Sequence, residues 1–153
     1  MVMELRQFDY KDCVADNLLR RIPPSKEKAE ASIRAANNWL EEAEKGLKND
    51  AFNSSVLASY LVMFHSARAI LFFDGFREKS HYCVARYLEE KYVKTSKLEK
   101  QWVELLDHFR GLRHDSQYDV SFITSKDEAE EAFGTAERFL ERLRKLLEQI
   151  EKQ

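Results

Sequence analysis

The chain is poor in the residues that punctuate a fold. Its 153 residues include only 4 glycines and 2 prolines, the latter side by side at Pro23-Pro24. Sheets need many turns, and turns draw on Gly and Pro. The scarcity argues against a β-sandwich or an α/β domain and for helices joined by few, short connections. Cysteine is also scarce: Cys13 and Cys83 fit no metal-ligand spacing and no disulfide framework. Two reduced thiols in a cytosolic protein are expected. Basic charge is not in excess, with 25 Lys and Arg against 27 Asp and Glu, a net charge of -2. No global field gathers nucleic acid, so any RNA contact must be a local patch. A long uninterrupted apolar run is missing as well. The most apolar stretch, 56–73, is broken by Ser59, His65, Ser66 and Arg68, which makes it too polar for a membrane span. Residues 1–10 carry acids and no apolar run, so no secretory signal is expected and the location reads as cytoplasmic. With no Gly-rich phosphate loop and no His, Cys or carboxylate pair at metal spacing, neither a metal nor a cofactor is expected.

What is present is charge and helical periodicity. Charged residues make up 34% of the chain, above the globular average of about 25% and suited to helices with solvated outer faces. Residues 1–24 read as a lead-in, in which 14–22 has the form of a short helix stopped by Pro23. A single helical-bundle domain then occupies 25–153. Ser25 is an N-cap for a helix reaching about Lys48, with Ile33, Ala36, Leu40, Ala43 and Leu47 on one stripe. Asn49-Asp50 stops it and offers a cap to the next helix. That helix spans about 51–74, is apolar almost all round, and ends at Gly75. Residues 80–93 form a shorter helix. Ser96 to Glu99 has the form of a capping box before a helix carrying Leu98, Trp102, Leu105, Phe109 and Leu112. A loop is expected at 114–124. Ser125 to Glu128 is a second capping box, opening a last helix with a sustained heptad from Ala129 through Ala132, Ala136, Phe139, Leu143 and Leu146 to Ile150. The fold class is all-α: an up-and-down four-helix bundle with an additional short helix. Ala129, Ala132 and Ala136 allow close helix approach, within the chain or across a dimer seam.

The densest polar chemistry is the stretch 109–119, which packs Arg110, Arg113, His114, Asp115, Tyr118 and Asp119 into the end of a helix. Guanidiniums bind phosphate oxygens in a bidentate way, and imidazole titrates near neutral pH. Arg110, Arg113 and His114 share a helix face at spacings of three and four. The same residues have a structural use: cations offset the dipole at a helix C-terminus, Asp115 and Asp119 pair with the arginines, and Tyr118 packs over the helix end. A third use is a phosphate or nucleotide contact without catalysis. On the apolar helix, Tyr60, Phe64 and Arg68 follow a spacing of four, as do Leu61 and His65. His65 and Arg68 thus face the arginine cluster, or His65 is a hydrogen-bonded core histidine. His81 and His108 are expected at the surface.

Three stretches carry a family resemblance. They are Ile22 to Ala29 leading into Trp39 to Ala43; Ala58 to Tyr60 continuing into Met63 to Leu71, with Gly75 after it; and Leu112-Arg113 followed by Gln117-Tyr118-Asp119. Together they span about 20–150. In order and spacing they resemble the HEPN superfamily of small helical bundles, and more closely its small prokaryotic members encoded beside minimal nucleotidyltransferases. The resemblance implies a HEPN-like bundle, a homodimer, and one half of a toxin–antitoxin-like pair with such a nucleotidyltransferase, acting as an interaction and nucleotide-binding module. Arg110, Arg113, Arg68 and His65 would meet the phosphates. It also implies an alternative, a metal-independent endoribonuclease. The ribonuclease motif in the family is Arg, four to six residues, then His. Here the residue after four from Arg113 is Tyr118, and Arg110 and His114 are separated by only three. Catalysis on this chain would therefore rest on Arg113 with His114 or Tyr118.

Overall fold

The computed structural model describes residues 6–118 and 123–153. Asp9 opens helix α1 (Tyr10–Ala15) with a capping box to Asp12, which starts the helix earlier than the 14–22 reading. Asn17, at φ 57°, takes the left-handed turn that ends it. The chain then forms β1 (Leu19–Arg21), not a continuation of helix. Ser25 caps α2 (Lys26–Lys48) by accepting from the Lys28 N–H, as expected. Residues 49–51 turn the chain into α3 (Phe52–Asp74). Asn49 and Asp50 do not cap it. The N-cap is Ala51, because Asp50 is spent on a left-handed turn at φ 56°.

Gly75 ends α3 at φ 92°, and a Cβ there would stand 2.7 Å from the Ile22 carbonyl oxygen. Only glycine allows the lead-in to cross so near. The crossing is stitched by Ile22 N–H to Gly75 O and Ser25 N–H to Phe72 O, both 2.9 Å. β2 (Phe76–Glu78) pairs antiparallel with β1, with Leu19 opposite Glu78 and Arg21 opposite Phe76. This two-stranded ribbon is a small addition to an otherwise all-α architecture. α4 (His81–Leu88) runs into a wider π-helical turn at Glu89–Val93. The turn lets the hydroxyls of both Tyr87 and Tyr92 donate to one Asp74 carboxylate oxygen, at 2.7 and 2.6 Å. Burial and that carboxylate hold both phenols well above the usual tyrosine value.

α5 (Lys100–Tyr118) starts later than the capping-box reading, because Ser96 lies at φ 61° and cannot act as an N-cap. Glu99 is taken instead by Arg142 at 2.8 Å and by the Trp102 indole N–H at 2.9 Å. α5 also runs through 114–118, expected as loop, since no Gly or Pro there breaks it. Ser125 caps α6 (Lys126–Glu151) by accepting from Glu128 N–H, and every residue of the expected heptad from Ala129 to Ile150 is buried.

α3 is the centre. It touches α2, α4, α5 and α6, and α2 also touches α6. Two of its buried serines are absorbed by backbone bonds: Ser55 donates to the Ala43 carbonyl and Ser66 to that of Val62. By length and composition α3 alone among the described helices could cross a membrane, yet most of it is buried inside the bundle. Cys13 and Cys83 correct the sequence reading outright: they are joined in a disulfide. Seventy residues separate them, but α1 packs on α4, a tertiary contact that no local spacing encodes.

Candidate functional site

The inward stripe of α5 changes chemistry along its length. Val103 and Leu106 are its deepest residues; of the expected stripe, Leu98 and Phe109 are buried while Trp102, Leu105 and Leu112 are half-buried. The same rhythm carries the inward face on to Arg110 and Arg113, both half-buried. Because the helix continues to Tyr118, Arg110 stands about two turns before its end. Offsetting the dipole, which acts within the last turn, does not account for it.

α3 meets this stripe with Tyr60, Phe64 and Arg68, one turn apart from each other. Between them stands His81, the first residue of α4. Its ring stacks on Phe64 with centroids 3.9 Å apart and planes 15° from parallel. Its Nδ1 lies 2.9 Å from the Tyr60 hydroxyl. The Arg113 guanidinium lies 5.7 Å from the Tyr60 ring. Arg86 and Arg110 lie over the Tyr82 ring at 4.6 and 5.0 Å and share Asp107, at 2.5 and 2.6 Å. Arg68 holds Glu78 at 2.9 Å and lies over the rings of Phe64 and Phe72. Four guanidiniums are thus gathered around Asp107 and Glu78, with Glu89 reaching Arg86 from 3.8 Å.

Burial, with the guanidiniums nearby, keeps His81 and His65 neutral at pH 7. Burial first, then Arg113, Arg68, His65 and Arg110, push His81 down to about 4. Burial and Arg68 lower His65 as well. Burial lifts the Tyr60 phenol to about 12 against the pull of Arg113 and Arg110. At neutral pH the Tyr60–His81 hydrogen bond therefore joins two uncharged groups. An uncharged imidazole amid guanidiniums gives up no binding energy to repulsion, and the cluster suits an anion carrying several oxygens.

Of the residues expected from sequence, the structure brings Arg68, His65, Arg110 and Arg113 to this cluster. His65 is half-buried, and its carbonyl accepts from Ser32 at 2.7 Å. His114 does not share the arginine face. It lies exposed with Asp115 at 3.9 Å and its ring 4.9 Å from that of Tyr118, which is 70% exposed. Asp115 therefore faces His114, and Asp107 is the carboxylate that holds Arg110. Asp119 lies outside the described residues. His108 is exposed, as expected, but His81 is not a surface residue. Sequence reasoning missed His81, Tyr82, Arg86 and Asp107. The signal that could locate His81 is Ser80, whose N-cap position makes His81 the head of the helix that follows the Gly75 turn. Among the described residues no group of His, Cys, Asp and Glu is arranged to hold a metal ion.

A family model described as the HEPN domain matches residues 29–146, a span that takes in most of α2, all of α3 to α5 and most of α6. Two proteins of Methanocaldococcus jannaschii, each provisionally named a toxin, are 25% and 27% identical over 80% and 82% of this chain, and 83% and 92% of their own. A UPF0332 protein of Thermotoga maritima is 25% identical over 78% of this chain and 90% of its own.

Proposed function

The chain belongs to the HEPN domain family, and from that premise we propose that it is the toxin-like, phosphate-binding half of a two-protein pair. Its partner would be a minimal nucleotidyltransferase, and the bundle would act as a cytoplasmic homodimer. The observation that carries the reading is the inward stripe of α5 turning from Val103 and Leu106 to Arg110 and Arg113 against Arg68 and the neutral His81. The group recognised is the phosphate of a nucleotide or of RNA. A general base works best with a pKa near the operating pH, and His81, held to about 4, is far below it, so at this cluster binding is favoured over catalysis by His81. The test is isothermal titration with AMP, ADP and ATP, wild type against the Arg110→Ala, Arg113→Ala double variant. Binding by the wild type and its loss in the variant support the reading. No heat from the wild type at millimolar nucleotide overturns it.

A second reading has its own observation. His114 and Tyr118 lie exposed on α5, off the arginine face, with their rings 4.9 Å apart. With Arg113 next to His114 in sequence, an imidazole, a phenol and a guanidinium are the groups that a metal-independent endoribonuclease needs. RNA cleavage in EDTA that disappears in both Arg113→Ala and His114→Ala would establish it. Cleavage surviving both changes would rule out these residues.

A further inference from the structure

The disulfide stands against the cluster just described. Cys83 is two residues after His81, next to Tyr82 and three residues before Arg86. α4, which carries all of these, begins without a side-chain cap: Ser80 is its N-cap residue but makes no hydrogen bond from its hydroxyl. An uncapped first turn frays unless something else holds it. Here the hold comes from the chain's other end. The disulfide ties Cys83 to α1, and the Tyr82 hydroxyl donates to the Phe8 carbonyl at 2.6 Å. The Phe8 ring packs on that of Tyr82, with centroids 6.2 Å apart. The Tyr82 ring in turn lies under Arg86 and Arg110. α1 has only six residues, too few to stay helical without tertiary support.

From this arrangement we infer that the Cys13–Cys83 pair is a redox-sensitive clasp that sets the order of the phosphate-binding cluster. The inference rests on the phosphate-binding reading above. In the oxidised state the bond pins the first turn of α4, so that His81 stays on Phe64 and Tyr82 stays under Arg110. A cellular dithiol reductant opens it: one Cys–Cys S–S bond breaks, two thiols form with two electrons and two protons from the reductant, and the reductant leaves as its own disulfide. Both cysteines are fully buried, so attack follows local opening of α1, the short terminal element suited to low-energy opening.

The experiment uses the full chain and two readouts, one of which needs no ligand. Protein equilibrated in air should show no thiol reactive toward N-ethylmaleimide under native conditions. Excess dithiothreitol should release two. The C2–H proton resonance of His81, assigned by His81→Gln, should shift on reduction while those of His108 and His114 stay put. α1 amides should lose exchange protection while α3 amides keep theirs. Affinity for AMP should fall about fivefold or more on reduction, the low end of ordinary coupling between sites. Cys13→Ser should reproduce the reduced state, and if it folds poorly the dithiol titration of the wild type gives the same readout. An unmoved His81 resonance after both thiols appear overturns the clasp, as do two reactive thiols in the air-equilibrated protein. A shifted His81 with no AMP binding in either state sinks the phosphate reading and leaves the clasp standing.

Discussion

At the scale of single residues, His81 is where charge and pH meet. Its folded pKa of about 4 lies below the ordinary 6.5, so between those values the unfolded chain binds a proton that the folded chain refuses. Stability from this group is therefore full above pH 6.5 and declines as pH falls toward 4. Urea midpoints measured across that window should fall with pH in the wild type and fall less in His81→Phe. A phosphate dianion placed among the arginines cancels the charges that depress His81, so its pKa should rise on binding. Titration of AMP near pH 6 in buffers of different ionisation enthalpy should show more proton uptake, or less release, in the wild type than in His81→Phe. The residues of the cluster were unequally legible. Arg110 and Arg113 stand out in the sequence because two guanidiniums recur at helical spacing, and Arg68 follows Tyr60 and Phe64 on one stripe. His81 does not, because its significance comes from Phe64 and Tyr60, which only tertiary packing brings to it.

At the scale of elements, caps and turns decided which boundaries could be read. Ser25, Gly75 and Ser125 were legible because each solves a local backbone problem with a local side chain. The start of α5 was not: Ser96 and Glu99 match a capping pattern, but Arg142 of a distant helix claims the Glu99 carboxylate. Two glycines make opposite predictions. Gly75→Ala puts a Cβ at φ 92° and 2.7 Å from the Ile22 carbonyl, and should cost more than about 2 kcal/mol, seen as a lower urea midpoint. Gly111 sits inside α5 with open space where a Cβ would go. Gly111→Ala should stabilise by about 0.5–1 kcal/mol by the same measure, with nucleotide affinity unchanged.

At the scale of the whole molecule, the bundle was legible because its helices are long, periodic and sparsely punctuated. The lead-in was not, because its ribbon and disulfide are contacts across the chain. That cross-link closes a separation of 70 residues and by loop entropy is worth about 4 kcal/mol. Dithiothreitol should lower the urea midpoint accordingly and leave the far-UV circular dichroism of the folded baseline helical. The shared Asp74 carboxylate has a consequence of another kind. Tyr60, Tyr87 and Tyr92 are three of only six tyrosines, and all three are held above the ordinary value of 10. Above that pH the unfolded chain sheds protons that the folded chain keeps, so alkali drives unfolding. The part of the near-ultraviolet band of ionised tyrosine that belongs to these three should then grow only as the helices melt. The protein carries a colour change of its own that reports, without a label, the moment its interior opens.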